Sequence, residues 1–510
     1  MNRFREQLRE LGLGEILEPV AYEYPGFTGD ERFFAALDDI IKNNKSVLIH
    51  PDSDPDGAYS AKIMHKCLAK LGHTNMDIYR LRERSHKLTD MAVNEAIYNK
   101  YDYMIILDSS TNDMYNITKL TTYGVIPIVL DHHVGNYDLN LYPKDAIIIN
   151  TIYENAIRGH EEFRLCGGGL TFCLVSEYLR RNNRKYSDLA PYALVALYAD
   201  CIDMTKELNR SIYYMATSVP RGELPPDIKY FLEDYAVFSR RFIEFTLVPK
   251  INALFRTENL ELLNQYLFDN LSYDKNIKLV ALIKDLHSFT REQVLMLTDV
   301  VEKRNLENIV LANLTHSGKA VQLNKLYNYT GLVANNISTE YGKPCVVLCD
   351  TGDYIKASFR DLLSRNYLPI FKQFCNAEGH GAAFAINIPY NTYREFVTYL
   401  ENTVDRKFSI AGVDEPIEVE CDSLMPDLEL IEDVALFNEF SGIKVPIAIL
   451  KKKNNLTCKS SYSKSHPYNY KWGDYNIESS SRLIPGRVIK IKPVKTKSLK
   501  LIVYNRNVAI

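Results

Sequence analysis

Three short apolar runs near the start of the chain end in the same kind of polar cluster, and that coincidence restricts the fold more than any other feature. SVLIH (46–50) leads into His50-Pro51-Asp52-Ser53-Asp54-Pro55-Asp56-Gly57, YMIIL (103–107) into Asp108-Ser109-Ser110, and IPIVL (126–130) into Asp131-His132-His133. Such short, bounded apolar runs read as buried strands, and AIIIN (146–150) adds a fourth. Between the first two, Ala61, Met64, Leu68 and Leu71 share one face of a helix over 57–71, and further helices are expected at 90–99, 170–181 and 191–199. Strands alternating with helices imply an α/β domain with a mostly parallel sheet. In such a sheet the site lies beyond the carboxyl ends of the strands. That is where His50, Asp54, Asp56, Asp108, Asp131, His132 and His133 would gather, with Asp200, which closes the apolar helix YALVALYA.

Carboxylates and imidazoles together suit a hard or borderline divalent ion, Mn²⁺ first and Mg²⁺ as the alternative. Two such ions about 3.5–4 Å apart can activate a water and stabilise the leaving oxygen of a phosphodiester. Gly57 allows a tight turn out of the acidic loop into its helix. Each element alone has an ordinary explanation, since a DxDxD loop is commonly a turn and an acid after a strand commonly caps a helix. Calcium fits poorly: the loop that starts at Asp52 lacks the later Glu, with Ile63 in its place, and the helix that should precede it. Three strand ends carrying the same ligand types weigh for the metal.

At 510 residues the chain exceeds one ordinary domain. Aromatic-rich helices are expected from 205 to 275. IKLVALI, ENIVLANL, KPCVVLC and GAAFAINI then read as strands of a second α/β unit, and the remainder is β-rich. The net charge of -3 hides a contrast, because 451–510 holds 14 Lys/Arg against only Asp474 and Glu478. Such charge would attract a polyphosphate, with Tyr462, Tyr468, Tyr470, Trp472 and Tyr475 as stacking surfaces for bases. Nine scattered cysteines with no CxxC suit a reducing compartment and argue against a disulfide framework or a zinc finger. MNRFREQLRELGLG lacks the apolar run of a signal peptide, and no stretch of about 18 apolar residues suggests a membrane span. A cytoplasmic protein is expected.

Asp131-His132-His133, set in LDHHVGN, is the DHH signature, and the chain resembles the DHH phosphoesterases in four ordered motifs: His50/Asp54/Asp56, Asp108, Asp131-His132-His133, and Asp200 in LYADCIDM. The resemblance implies that His50 and Asp54 hold one ion and Asp56 and His132 the other, with Asp108 and Asp200 shared. Asp131 would support the two histidines, and His133 would lie near the reacting phosphate. LCGGGLTFCLVSEYL (165–179), FTLVPKINALFR (245–256) and GLVANNISTEYGKPCVVL (331–348) are similar to segments of the RecJ exonucleases and of the accessory DHHA1 domain. That branch implies a grip on the 5′ phosphate by Ser358 and Arg360, with Arg256, Asn252 and Arg82 as further substrate contacts. It also implies His380 as a donor to the scissile phosphate, although Glu378 and Ala385 stand where glycines are usual. The expected organisation is a DHH domain (1–205), a helical connector (206–277), a smaller α/β DHHA1 domain (278–402) and a basic, β-rich, OB-like module (403–510). The expected activity is 5′→3′ exonucleolysis of single-stranded DNA, with single-strand-binding or other repair proteins as partners. The alternatives are a phosphodiesterase for oligonucleotides or cyclic dinucleotides, and a non-catalytic scaffold in a replication or repair complex.

Overall fold

The computed structural model describes residues 3–134, 141–158, 164–232, 237–315, 325–361, 367–372, 375–380, 382–404, 416–421, 427–441, 447–453, 456–460, 468–472, 475–479, 483, 488–494 and 500–503. The expected α/β fold is present. The apolar runs form β1 (Val47–Pro51), β3 (Tyr103–Leu107), β4 (Ile126–Asp131) and β5 (Ile147–Asn150), and β2 (Met76–Ile78) joins them in a parallel sheet of order β2-β1-β3-β4-β5. β1 and β3 are buried along their whole length, as strands covered on both faces must be. The register pairs Pro51 with Leu107 and Leu107 with Leu130. Asp52, Asp108 and Asp131 therefore follow at one level along the carboxyl edge.

Helices α1 (Pro55–Lys70), α2 (Gly167–Arg181) and α3 (Ala190–Ala199) pack against one another beside this sheet. α3 is buried from Ala190 to Tyr198, so Asp200 at its end is delivered to the edge by an apolar rod. The chain continues through α4 (Val248–Arg256) into α5 (Tyr273–Val300), a helix of 28 residues. The segment IKLVALI, expected as a strand, lies inside α5. A short apolar run cannot be assigned to strand or helix by periodicity alone, and here Leu279, Val280 and Ile283 are buried while Ile277 and Leu282 are exposed.

The second sheet runs β10-β11-β9-β8-β7-β6, with β6 (Glu302–Asn305), β7 (Val310–Asn313), β8 (Cys345–Asp350), β9 (Ile355–Arg360), β10 (Asn376–His380) and β11 (Ala383–Ile388). Only β7 and β8 pair in parallel, and α6 (Thr330–Tyr341) covers one face. The β-rich remainder is a seven-stranded sheet spanning Ile417 to Val503, with helix α7 (Leu428–Phe440). Its core is continuous with that of the first sheet. Phe4 meets Phe437 edge-on at 5.5 Å, and Arg5 grips Asp433 through Nε and Nη2 at 2.7 and 2.8 Å. Tyr470 and Trp472, expected as stacking surfaces, are each 2% exposed. They fill this core, because a small β module has little else large enough to do so. Tyr462 lies outside the described residues. Lys451 and Lys490 are paired with Glu418, and Lys451 also with Glu420, which neutralises part of the basic character of this module.

Candidate metal centre

Local geometry at the carboxyl edge follows from close backbone approaches. Asp54 caps α1 by accepting from the Gly57 amide at 3.0 Å. A Cβ on Gly57 would meet the Asp52 nitrogen at 2.5 Å, so only glycine lets the loop fold back on itself. The Asp56 carboxylate receives the amides of Gly167 and Gly168, at 2.8 and 2.7 Å, from the first turn of α2. A helix N-terminus is a natural seat for an anion. Cβ atoms at Gly167 and Gly168 would strike Asp108 Cβ at 2.5 Å and Ala196 Cβ at 2.4 Å. The glycine run therefore exists so that α2 can abut Asp56, Asp108 and α3 at once. Asp108 itself has φ +64°, a left-handed conformation that is uncommon outside glycine and Asn/Asp and that recurs at functional sites.

The side chains converge on His132. Its Nε2 lies 3.1 Å from Asp108 Oδ1, 3.6 Å from Asp200 Oδ2 and 3.8 Å from Asp56 Oδ2. Three groups of donor atoms are close enough to hold a cation: Asp108/His132/His133, Asp56/His132/Asp200, and Asp52/Asp54/His86. His50 stands outside these groups. It is buried and stacked on Tyr79 at 5.1 Å, and its Nδ1 has no hydrogen-bond partner. Asp131 is fully buried, and its Oδ1 accepts from the His132 and His133 amides and from His133 Nδ1 at 2.7, 3.1 and 2.8 Å. Its Oδ2 accepts from the Thr111 amide at 3.0 Å. Four donors leave it braced against the histidines rather than aimed at the centre.

The electrostatics divide in the same way. Burial, then the neighbouring Asp52, pushes Asp54 up to about 7. Burial and Asp200 raise Asp56, and burial and Asp56 raise Asp108 well above the carboxylate range. Burial also works against ionised Asp131, yet the His133 hydrogen bond holds it well below that range. His133 in turn overcomes burial through Asp131 and rises to about 10. Burial lowers His50 to about 4. Crowded buried carboxylates, with unpartnered buried atoms at Asp52 Oδ1 and His50 Nδ1, fit divalent cations.

Acids whose folded pKa is raised keep protons that the unfolded chain releases, so their contribution to stability falls as pH rises from the ordinary carboxylate range through about 7. In chelator, the melting temperature should therefore drop between about pH 5 and 8, and Mn²⁺ should raise it more at the upper end, where the site is anionic. A metal increment that is absent, or larger at the acid end, would contradict the site.

Beside the acidic pit lies a cluster of cations. Burial first, then Arg84 and Arg360, lowers Arg256 to about 9. Burial lowers Arg360 to about 10, with Cys201, the residue after Asp200, within electrostatic reach. Burial and Arg84 lower Lys356 to about 8. Arg84 also feels Asp54 and Asp52, and its Nε is buried without a hydrogen-bond partner. The pit and the cluster thus adjoin. A Cβ on Gly331 would meet Arg360 Nη2 at 2.5 Å, so α6 makes room for the guanidinium. Ser358 is nearly buried, with its hydroxyl 2.8 Å from Thr330 Oγ1, and Asn252 is half-buried one turn before Arg256 on α4. Arg82 does not join them: it is exposed and pairs with Glu95 at 2.9 Å. YRLRERSHK is no regular strand and bends at Glu83, so Arg82 stays exposed while Arg84 reaches the site. The backbone of Glu378 and His380 pairs with β11, and their side chains lie outside the described residues. Sequence reasoning also missed His86, whose only signal was its place in that charged stretch. Among the described residues, no helix is long and apolar enough to cross a membrane.

The N-terminal domain of the DHH family matches residues 46–200. An SPbeta prophage-derived protein of Bacillus subtilis, provisionally named a single-strand DNA-specific exonuclease, is 24% identical over 452 residues, spanning 79% of this chain and 73% of that protein. The single-stranded-DNA-specific exonuclease RecJ of Escherichia coli is 22% identical over 358 residues, spanning 66% of this chain and 60% of that protein. Among solved structures, RecJ of Thermus thermophilus in complex with Mn²⁺ superposes with a TM-score of 0.73 at 16% identity, covering 98% of this chain and 75% of that one.

Proposed function

We propose, from the premise that residues 46–200 are a DHH-family N-terminal domain within a RecJ-like fold, that the protein is a metal-dependent phosphodiester hydrolase that shortens single-stranded DNA from its 5′ end. The observation that carries this reading is the contiguity of a buried carboxylate–histidine pit with an arginine cluster. The names of the relatives support the choice of substrate.

In this reading His50 and Asp54 would hold one ion, Asp56 and His132 the other, and Asp108 and Asp200 would be shared. Bound Mn²⁺ or Mg²⁺ would supply an activated water and offset the charge on the leaving oxygen. The remaining work belongs to the chain. Gly167 and Gly168 amides fix Asp56, and Asp131 fixes both histidines. His133, held protonated by Asp131, donates toward the phosphate being cut, and His380 is a second candidate donor. Arg84, Arg256 and Arg360, with Ser358 and Asn252 nearby, hold a phosphate of the same strand, and guanidinium forks suit its oxygens.

The test compares strands blocked at one end. With Mn²⁺, a 3′-blocked, 5′-phosphorylated strand should be degraded to mononucleotides while a 5′-blocked strand persists. Equal degradation of both would refute the polarity, and a strong preference for dinucleotides would point to the small-substrate alternative.

A further inference from the structure

Two aspartate–histidine pairs flank the acidic pit, and only one of them belongs to the DHH signature. In the first, His133 Nδ1 lies 2.8 Å from Asp131; in the second, His86 Nδ1 lies 2.7 Å from Asp52. The resemblance extends to burial. Both histidine side chains are 54% exposed, whereas the paired aspartate side chains are 1% and 2% exposed. A carboxylate that takes the Nδ1 proton fixes ring orientation and leaves Nε2 as the working atom.

The segment that carries His86 is tied to the strand ends. The Ser85 amide donates to Ser53 Oγ at 3.0 Å, and the Leu88 amide to Ser110 Oγ at 3.1 Å. Ser53 and Ser110 belong to the loops that follow β1 and β3, so His86 is pinned over the carboxyl edge of the sheet from both sides. Arg84, two residues earlier, feels both the Asp52/Asp54 carboxylates and the cluster of Arg256 and Lys356. The segment therefore runs from the arginine cluster to the rim of the pit. A nucleotide with one phosphate among the arginines and the next at the carboxylates must pass it.

We propose that His86, braced by Asp52, is a further catalytic residue that meets the strand through Nε2 at the phosphate spanning the arginine cluster and the acidic pit. The inference rests on the hydrolase reading above and adds to it a contact on the rim opposite His133. With Nδ1 held by Asp52 at 2.7 Å, the ring presents Nε2 to a phosphate oxygen. The nearby arginine favours an anion over a third cation at this position.

The test uses the full chain with His86→Ala and His86→Gln, and reads three quantities: hydrolysis of a 5′-phosphorylated single strand in Mn²⁺, calorimetric Mn²⁺ affinity, and melting temperature. Both variants should lose on the order of 10²-fold in kcat/KM, as expected for removal of one positioned donor, with Mn²⁺ affinity and melting temperature unchanged. Asp52→Asn should lose roughly 10-fold or more through disorientation of the ring. Unchanged kcat/KM in His86→Ala beside an active wild type would overturn the inference alone. A fall in Mn²⁺ affinity would overturn it too, by making His86 a metal ligand. A wild type that binds Mn²⁺ but hydrolyses no single strand would instead remove the reading beneath it.

Discussion

Replacing Asp108 by asparagine should abolish hydrolysis while making the chelator-treated protein more stable. Asp108 Oδ1 sits 3.1 Å from His132 Nε2, and Asp108 feels the charge of Asp56 across the shared pit. In the proposed centre it is one of the two carboxylates common to both ions. Its loss should exceed the roughly 10–100-fold cost of removing an outer partner of a metal ligand. Asparagine keeps the shape and tolerates the left-handed φ of +64°, so the backbone is not the cause of any loss. The stability gain has the opposite sign because burial and neighbouring acids raise the Asp108 pKa well above the ordinary range. Ionising it in the fold costs free energy that the neutral amide avoids. Nucleotide release and melting in chelator check both halves. A variant that retains activity, or one that loses activity and stability together, would contradict this assignment.

Arg360→Ala should act on substrate rather than on metal. The side chain is half-buried beside Gly331, among Arg256 and Arg84, with its Nη1 donating to the Phe359 carbonyl at 2.6 Å. Arg256 is crowded by Arg84 and Arg360, and a phosphate entering among like charges relieves their repulsion. Truncation of a desolvated charged partner costs about 2–5 kcal/mol of binding, so KM for a 5′-phosphorylated strand should rise at least tens-fold. The salt dependence of binding should weaken by about one unit of slope. Mn²⁺ affinity should not change, and stability should stay level or rise as repulsion is relieved. Arg360→Lys should fall between, since an ammonium keeps the charge without the planar fork. Unchanged KM and salt slope would remove Arg360 from the phosphate site.

Much of the carboxyl edge was legible in the sequence because each part of it is local. A buried parallel strand is a short apolar run, and the residues that leave it must lie at the edge, so His50, Asp108 and Asp131 could be placed from spacing alone. What failed was of three physical kinds. IKLVALI has the composition of a strand, and only the 28-residue length of α5 reveals the helix. Arg82 and Arg84 are equivalent in composition, and the bend of the chain at Glu83 separates the exposed, Glu95-paired Arg82 from the Arg84 that reaches the site. Trp472 and Tyr470 look like base-stacking surfaces until the sheet closes over them. His86 was invisible for another reason. Its partner Asp52 is 34 residues away, and the two meet where Ser53 and Ser110 pin the chain on either side of His86.

The central claim, a metal-dependent hydrolase acting on single strands, is tested most directly by adding Mn²⁺ back to chelator-treated protein. The readout is mononucleotide release from a 5′-phosphorylated single strand, with the duplex of the same sequence as control. No release in chelator, recovery as Mn²⁺ is restored, and little release from the duplex are expected. Release that persists in chelator, or none at any Mn²⁺ concentration from a protein that binds the ion, would contradict the account.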